Sequence, residues 1–231
     1  MQIHGFQKTT LLDFPGRVAC TIFTGSCNFR CPFCQNSGLV LHPDEEPAIP
    51  EEDIISFLKK RSGILDGVCI TGGEPTLQRD LPDFIKKIKA LGYQVKLDTN
   101  GYLPDVLKNL CESGLIDYVA MDIKSSRETY SRASGIPDPD IRKIEDSASY
   151  LMNSGISYEF RTTVVRELHT ASDFRNIGEW LAGCSAYYLQ SYKDSELVMA
   201  KGLSAFSPDE LRAFIEILRP WIPNVSLRGI D

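Results

Sequence analysis

The sequence predicts an α/β fold, a partial (β/α)6 TIM-like barrel in one domain covering residues 1–231. Three observations carry this expectation. Short β-branched, apolar runs of about five residues alternate with amphipathic runs of about eleven, the pattern of parallel βαβ units. The length, 231 residues, suits one α/β barrel-type core, and no shift in composition marks a domain boundary. Polar or glycine-rich motifs follow the predicted strands at their C-terminal ends, where the βα loops of such folds gather and bind ligands.

Taken in order, residues 1–16 read as an irregular lead-in closed by Pro15-Gly16. Arg17 to Thr24 is apolar, β-branched and bounded by glycines, a buried strand that runs directly into a cysteine loop. Leu41 to Pro50, with Asp44-Glu45-Glu46, reads as a solvated connection. Glu51 to Lys60 has acids in its first turn and apolar residues at 54, 55, 57 and 58, as an amphipathic helix should. The strand Gly67 to Thr71 leads into Gly72-Gly73-Glu74-Pro75, and the helix Leu81 to Leu91 stops at Gly92. The strand Gln94 to Asp98 leads into Thr99-Asn100-Gly101, and the helix Pro104 to Ser113 is capped by Gly114. The strand Tyr118 to Ile123 ends in Asp122-Ile123-Lys124. The scheme then repeats with helix 141–154, strand 157–165, helix 171–181 and strand 186–190. Residues 200–231 hold a helix from Pro208 to Arg219, with Ser207 as N-cap, and a candidate final strand from Asn224 to Leu227.

The chemistry points to Cys27-Asn28-Phe29-Arg30-Cys31-Pro32-Phe33-Cys34. Three thiolates on one short loop can hold three irons of a cubane and leave the fourth open to a small molecule. Cys31 and Cys34 also form a CxxC pair, half of a structural zinc site, but no second CxxC occurs in the chain. A redox CxxC is the other alternative, and it leaves Cys27 unexplained. The remaining cysteines, 20, 69, 111 and 184, sit singly among apolar or helical residues and read as core or near-core thiols.

Composition excludes several classes of function. A formal charge of -6 gives no footprint for nucleic acid, which needs clustered Lys and Arg. The N-terminal residues lack the basic start and apolar run of a signal peptide, and no apolar run reaches the ~20 residues of a membrane helix. The expected compartment is a reducing cytoplasm.

At Cys27, Cys31 and Cys34 (CxxxCxxC), with Phe33 before the last cysteine and Gly72-Gly73-Glu74-Pro75, the chain resembles the radical S-adenosylmethionine (SAM) superfamily. The lead-in from Gln7 to Gly16 and the stretch Cys27 to Asn36 are similar to the anaerobic ribonucleotide reductase activating proteins. Asp98-Thr99-Asn100-Gly101 and Asp122-Ile123-Lys124 are similar to stretches of glycyl radical enzyme activating enzymes. The resemblance implies a barrel of the radical SAM type, in which the three cysteines hold a [4Fe-4S] cluster whose open iron chelates SAM. It implies that Gly72 and Gly73 let the backbone approach the methionine end, that Glu74 accepts a hydrogen bond from its ammonium, and that Lys124 is a candidate for its carboxylate; the alternatives are a plain tight turn for Gly72-Gly73-Glu74-Pro75 and a rim salt bridge of Lys124 with Asp122. Thr99 and Asn100 are candidates for the ribose or methionyl group, with a plain turn as the alternative. Arg161 faces the SAM carboxylate or the substrate backbone, or else forms a buried ion pair. Gln190 and Tyr192 would line the adenosine side. Asp98 and Asp122 would crowd a third carboxylate, so a monovalent cation or Lys124 is expected to neutralise them. His169 reads as a solvated loop residue.

The implied reaction is one-electron cleavage of SAM to methionine and a 5′-deoxyadenosyl radical, which abstracts hydrogen from a glycine of a partner. The implied partners are a glycyl radical enzyme, the anaerobic ribonucleotide reductase first, and a flavodoxin- or ferredoxin-type electron donor. The rivals are a radical SAM enzyme acting on a small molecule, such as a deazaguanine synthase, and a non-catalytic metal-binding protein. One departure is Ser26, which stands where the family commonly has glycine before the first cysteine; a residue this small is expected to shift little.

Overall fold

The computed structural model describes residues 1–45 and 47–229. Glu46 of the acidic run and the last two residues of the C-terminal stretch lie outside the described residues. Among the described residues eight strands follow chain order in one sheet. The chain divides by its contacts into two compact units.

The first unit comprises residues 1–28, 36–99 and 103–120. Its elements are β1 (Ile3–Thr10), β2 (Ala19–Thr24), α1 (Ser37–Leu41), α2 (Glu51–Lys60), β3 (Gly67–Gly72), α3 (Leu81–Ala90), β4 (Gln94–Thr99) and α4 (Pro104–Glu112). The expected irregular lead-in is therefore a strand. β1 pairs antiparallel with β2 in an irregular register, and only its ends, Ile3 and Thr10, are buried. An edge strand of this kind carries little apolar alternation, and β2 supplies the pairing that orders it. β2, β3 and β4 are parallel, aligned Cys20 to Val68 to Val95. Ile22, Val68, Ile70, Val95 and Leu97 build their core, onto which α3 packs Leu81, Ile85 and Ile88. α2 forms where its charges predict it, with Glu51, Glu52 and Asp53 at the positive end of the helix dipole and Lys59 and Lys60 at the negative end.

The strand β5 (Tyr118–Asp122) follows. The second unit holds residues 29–35, 100–102 and those from 121 onward. Its elements are α5 (Tyr130–Ser134), entered by a 3-10 turn over 127–129, then α6 (Ile141–Asn153), β6 (Ser157–Val164), α7 (Ala171–Trp180), β7 (Tyr187–Ser191), α8 (Pro208–Leu218) and β8 (Val225–Arg228). β6, β7 and β8 are parallel, so the predicted final strand is present. Ser207 caps α8 as expected, in a capping box with Glu210, and Thr170 does the same for α7 with Asp173. The ring of Trp221 packs on Gly178 of α7, where a side chain would collide with it. α5 has no counterpart among the predicted elements.

Candidate functional site

In the first unit the cysteine loop leaves β2 through Gly25, Ser26 and Cys27. Ser26 adopts a left-handed backbone, φ 67°. That turn lets its N–H donate to the Leu39 carbonyl (2.8 Å) and its own carbonyl accept from the Glu74 N–H (2.8 Å). Gly73 N–H donates to the Thr24 carbonyl (2.8 Å), Asn36 Nδ2 to the Gly72 carbonyl (3.0 Å) and Gln78 Nε2 to the Gly25 carbonyl (3.0 Å). The end of β3 is thereby laced to the loop that carries Cys27. Gly72 (φ 112°) and Gly73 are needed for that lacing. A Cβ on either would overlap the backbone of Thr24 or Ser26. Close packing of this turn is by itself a reason for these glycines.

Glu74 is 1% exposed, and its Oε1 accepts from Thr76 N–H (3.1 Å), Thr76 Oγ1 (2.6 Å) and Thr99 Oγ1 (2.8 Å). Thr99 therefore serves the Glu74 turn, which sequence reasoning did not foresee. Asp98 pairs with Lys96, a lysine only 1% exposed, and accepts from Cys69 Sγ at 3.7 Å. Lys96 was missed as a site residue. Its signal was the Lys-x-Asp spacing, which places both side chains on one face of a strand. A separate cavity of about 380 Å³ between α3 and α4, lined by Leu77, Pro82, Val106, Leu110 and Arg79 among others, includes none of the predicted site residues.

In the second unit Cys31 is 7% exposed and Phe33 is equally buried. Cys34 N–H donates to the Cys31 carbonyl (3.0 Å), closing the turn between them. The segment after β7 lies along this turn: Met199 N–H donates to the Cys34 carbonyl (3.1 Å), Ala200 N–H to the Pro32 carbonyl (2.8 Å), and Gln35 Nε2 to the Lys193 carbonyl (2.7 Å). On its other flank Arg30 N–H donates to the Ser134 carbonyl (2.8 Å) at the end of α5, where Gly135 (φ 69°) leaves no room for a Cβ beside the Arg30 carbonyl.

Three charges gather beside Cys31. Asp122 accepts from Arg161 Nε (2.9 Å) and Lys124 Nζ (3.1 Å). Burial would raise the Asp122 carboxyl, but Arg161 and Lys124 outweigh it and bring it down to about 2. Burial would likewise lower Lys124, yet Asp122 and the Cys31 thiol hold its ammonium well above the usual lysine range. Burial pushes the Cys31 thiol up to about 11, with Lys124 pulling against it. Lys124 Nζ stands 6.0 Å from the ring centre of Phe33. Arg161, half-buried, makes an ion pair with Asp122. Each carboxylate of the predicted cluster thus has a basic side chain within its own unit, Lys96 for Asp98 and Lys124 with Arg161 for Asp122.

Asn100 Oδ1 accepts from Tyr102 N–H (3.0 Å), the turn alternative. His169 is buried, not solvated: Nδ1 accepts from Val165 N–H (3.0 Å) and Nε2 meets the Lys124 carbonyl at 2.9 Å. A loop position gave no warning of this, because its burial is set by β6 and the loop after β5. Gln190 is half-buried on β7; Tyr192 is buried and its hydroxyl donates to Asp194 (3.0 Å).

The donors suit a cluster. All seven cysteines are thiols rather than disulfides. Among the described residues no group of three His, Cys, Asp or Glu is gathered tightly enough for one metal ion.

Comparison with known proteins agrees with these features. A profile described as the Radical SAM superfamily matches residues 21–181. A protein of Methanocaldococcus jannaschii, provisionally named a glycyl-radical enzyme activating enzyme, is 31% identical over 99% of this chain and 96% of its own length. A protein of Saccharolobus solfataricus, provisionally named GTP 3′,8-cyclase, is 34% identical over 49% of this chain and 37% of its own. In fold, the chain is similar to Streptococcus suis SuiB in its crystal structure with S-adenosylmethionine, with a TM-score of 0.68 at 18% identity, covering 89% of this chain and 49% of SuiB. The chain thus spans about half of that structure and nearly all of the Methanocaldococcus relative.

Proposed function

We propose that this chain, which belongs to the radical SAM superfamily, is an activating enzyme that cleaves S-adenosylmethionine and sets a glycyl radical on a partner enzyme, the anaerobic ribonucleotide reductase. What supports the partner class is the end-to-end similarity to a relative named for that activity. The superfamily carries a [4Fe-4S] cluster and SAM, and Cys27, Cys31 and Cys34 are the thiols we assign to the cluster. When bound, the cluster supplies one electron to the sulfonium and an open iron for the amino and carboxylate groups of SAM.

The remaining work belongs to the chain. Lys124, held by Asp122 and backed by Phe33, presents a half-buried positive charge for a carboxylate. Glu74, oriented through Oε1 by Thr76 and Thr99, is an anion set to accept from an ammonium. Arg161 keeps Asp122 ionised, so that Lys124 stays in place. A flavodoxin- or ferredoxin-type protein as donor, and a reducing cytoplasm as compartment, are part of the same proposal. No helix among the described residues is long and apolar enough to cross a membrane.

The test is anaerobic. The protein is reconstituted with iron and sulfide, reduced and given SAM, with and without an anaerobic ribonucleotide reductase. The expected result is 5′-deoxyadenosine, a glycyl radical signal only when the partner is present, loss of both with Cys31→Ala, and rates indifferent to Na+ or K+. SAM cleavage that no glycyl radical enzyme accepts, but a purine nucleotide does, would transfer the case to the small-molecule alternative that the half-length match to the cyclase favours. A colourless protein loaded with zinc would end it.

A further inference from the structure

The irregular segment between β7 and α8 is tied to the cysteine turn through its backbone. Met199 N–H donates to the Cys34 carbonyl (3.1 Å), Ala200 N–H donates to the Pro32 carbonyl (2.8 Å), and the Lys193 carbonyl accepts from Gln35 Nε2 (2.7 Å). Between these ties Val198 N–H donates to the Ser195 carbonyl (3.2 Å) and closes a tight turn. Val198 is buried and anchors the turn, so its central residues, Glu196 and Leu197, stand out into solvent. Leu197 is 65% exposed; the other large apolar side chains left so open among the described residues, Leu11, Leu12, Leu41 and Ile64, all belong to the first unit. A single exposed leucine needs no explanation. This one continues, through the chain and the hydrogen bonds above, into half-buried Met199, Ala200 and Pro32, an apolar strip that ends at half-buried Cys34. Its rim is balanced in charge, with Lys193 and Lys201 against Asp194 and Glu196.

We propose that this strip, centred on Leu197 and Met199, is the docking surface for the protein that delivers the electron, a small one-electron carrier whose redox group sits at an apolar patch. This rests on the proposed function, since it takes a cluster at Cys34 as given. The position of the strip selects the occupant. Leu197 lies two residues from a backbone hydrogen bond to Cys34, so a group seated on it is joined to a cluster ligand by a short run of chain and one hydrogen bond. The strip is an exposed turn rather than a cleft, which suits the small, quickly reversed contacts of redox partners, below ~1,200 Å². A balanced rim steers no charge, and a chain of net charge -6 offers an acidic carrier no attraction, so apolar contact carries the encounter. Methionine, soft and adaptable, suits a surface that is met and left repeatedly. The carrier gives up one electron and is oxidised, the cluster is reduced by it, and no bond forms or breaks.

The experiment follows bleaching of the cluster's visible absorbance in the reconstituted protein, without SAM, on mixing with reduced flavodoxin, reduced ferredoxin or dithionite. Leu197→Glu is expected to slow reduction by the carrier that serves the wild type about tenfold, the loss of one anchoring apolar contact. Its reduction by dithionite, its iron content and the thermal unfolding of its cluster-free form are expected to match the wild type. Leu12→Glu, at an exposed leucine of the first unit, is expected to change none of these. Salt is expected to alter the wild-type carrier rate by less than about twofold. Equal carrier rates in wild type and Leu197→Glu would overturn the proposal, as would a wild type that dithionite reduces and neither carrier does. A loss seen with Leu12→Glu instead, or a steep fall with salt, would move the encounter to another surface and overturn it too. An equal loss with dithionite would mean that the leucine holds the cysteine turn rather than a carrier. These failures leave the proposed function standing. A protein that takes up no cluster removes both, and one that the carrier reduces normally yet cleaves no SAM removes only the function.

Discussion

At the scale of single residues, the site is shaped by backbone conformations that side-chain motifs conceal. Ser26 occupies a left-handed conformation that glycine adopts freely and an L residue adopts at a cost of ~1–2 kcal/mol. The expectation that serine changes little there holds for volume but not for the backbone. Ser26→Gly relieves that strain at the expense of a more flexible unfolded chain, and the net effect is a stabilisation of up to ~1 kcal/mol. Urea unfolding of the cluster-free protein should show a higher midpoint at an unchanged slope. A lower midpoint would mean that the serine hydroxyl contributes more than its backbone costs. Lys96 teaches a related lesson. A lysine in a strand is ordinarily read as solvent-facing, yet here the Asp two residues on compensates its burial.

At the scale of elements, the cysteine turn in the second unit is held by segments remote in sequence. Met199 and Ala200 donate to its carbonyls on one side, where the Lys193 carbonyl also accepts from Gln35, and the end of α5 meets Arg30 on the other. The loop that precedes α5 is anchored in turn by Asp173, at the start of α7, which accepts from Ser126 (2.7 Å), Thr129 (2.6 Å) and Thr170 (2.7 Å). Gly135 is the tightest of these contacts. Gly135→Ala should destabilise by more than the ~1–2 kcal/mol of a left-handed alanine, because its methyl would enter the Arg30 carbonyl. The specific readout is iron retained per chain after reconstitution, expected to fall severalfold. Full retention would show that α5 packs on the loop without positioning it.

At the scale of the whole molecule, stability should respond to pH in two separate windows. His169 is kept neutral by burial, and its pKa is lowered from 6.5. The unfolded chain therefore binds the proton more readily, so stability is complete above ~6.5 and declines as pH falls below it. Asp122 is shifted down from 3.8 to about 2, so its contribution is present above 3.8 and is lost only as pH falls toward 2. Unfolding of the cluster-free protein from pH 8 to 2 should show a first decline below pH 6.5 that His169→Gln flattens, and a later one below 3.8 that it does not. A single decline below pH 4 in both proteins would contradict the buried state of His169.

What the sequence determined by itself was the alternation of elements, the strand ends that carry motifs, and the chemistry of three thiols on one loop. Each is local, set by periodicity over a few turns or by spacing along one loop, and the helices α2, α3, α6, α7 and α8 lie close to where those patterns placed them. The tertiary structure alone decided which partners those residues have. β1 is a strand because β2 offers it an edge, and α5 is a helix too short to announce itself. Arg161, Thr99 and Asn100 turned toward Asp122, Glu74 and Tyr102, and His169 and Tyr130 were buried by elements far away in the chain. Composition indicates that a side chain can carry charge or donate a hydrogen bond; burial and distance, which depend on the packing of segments tens of residues apart, decide what it acts on.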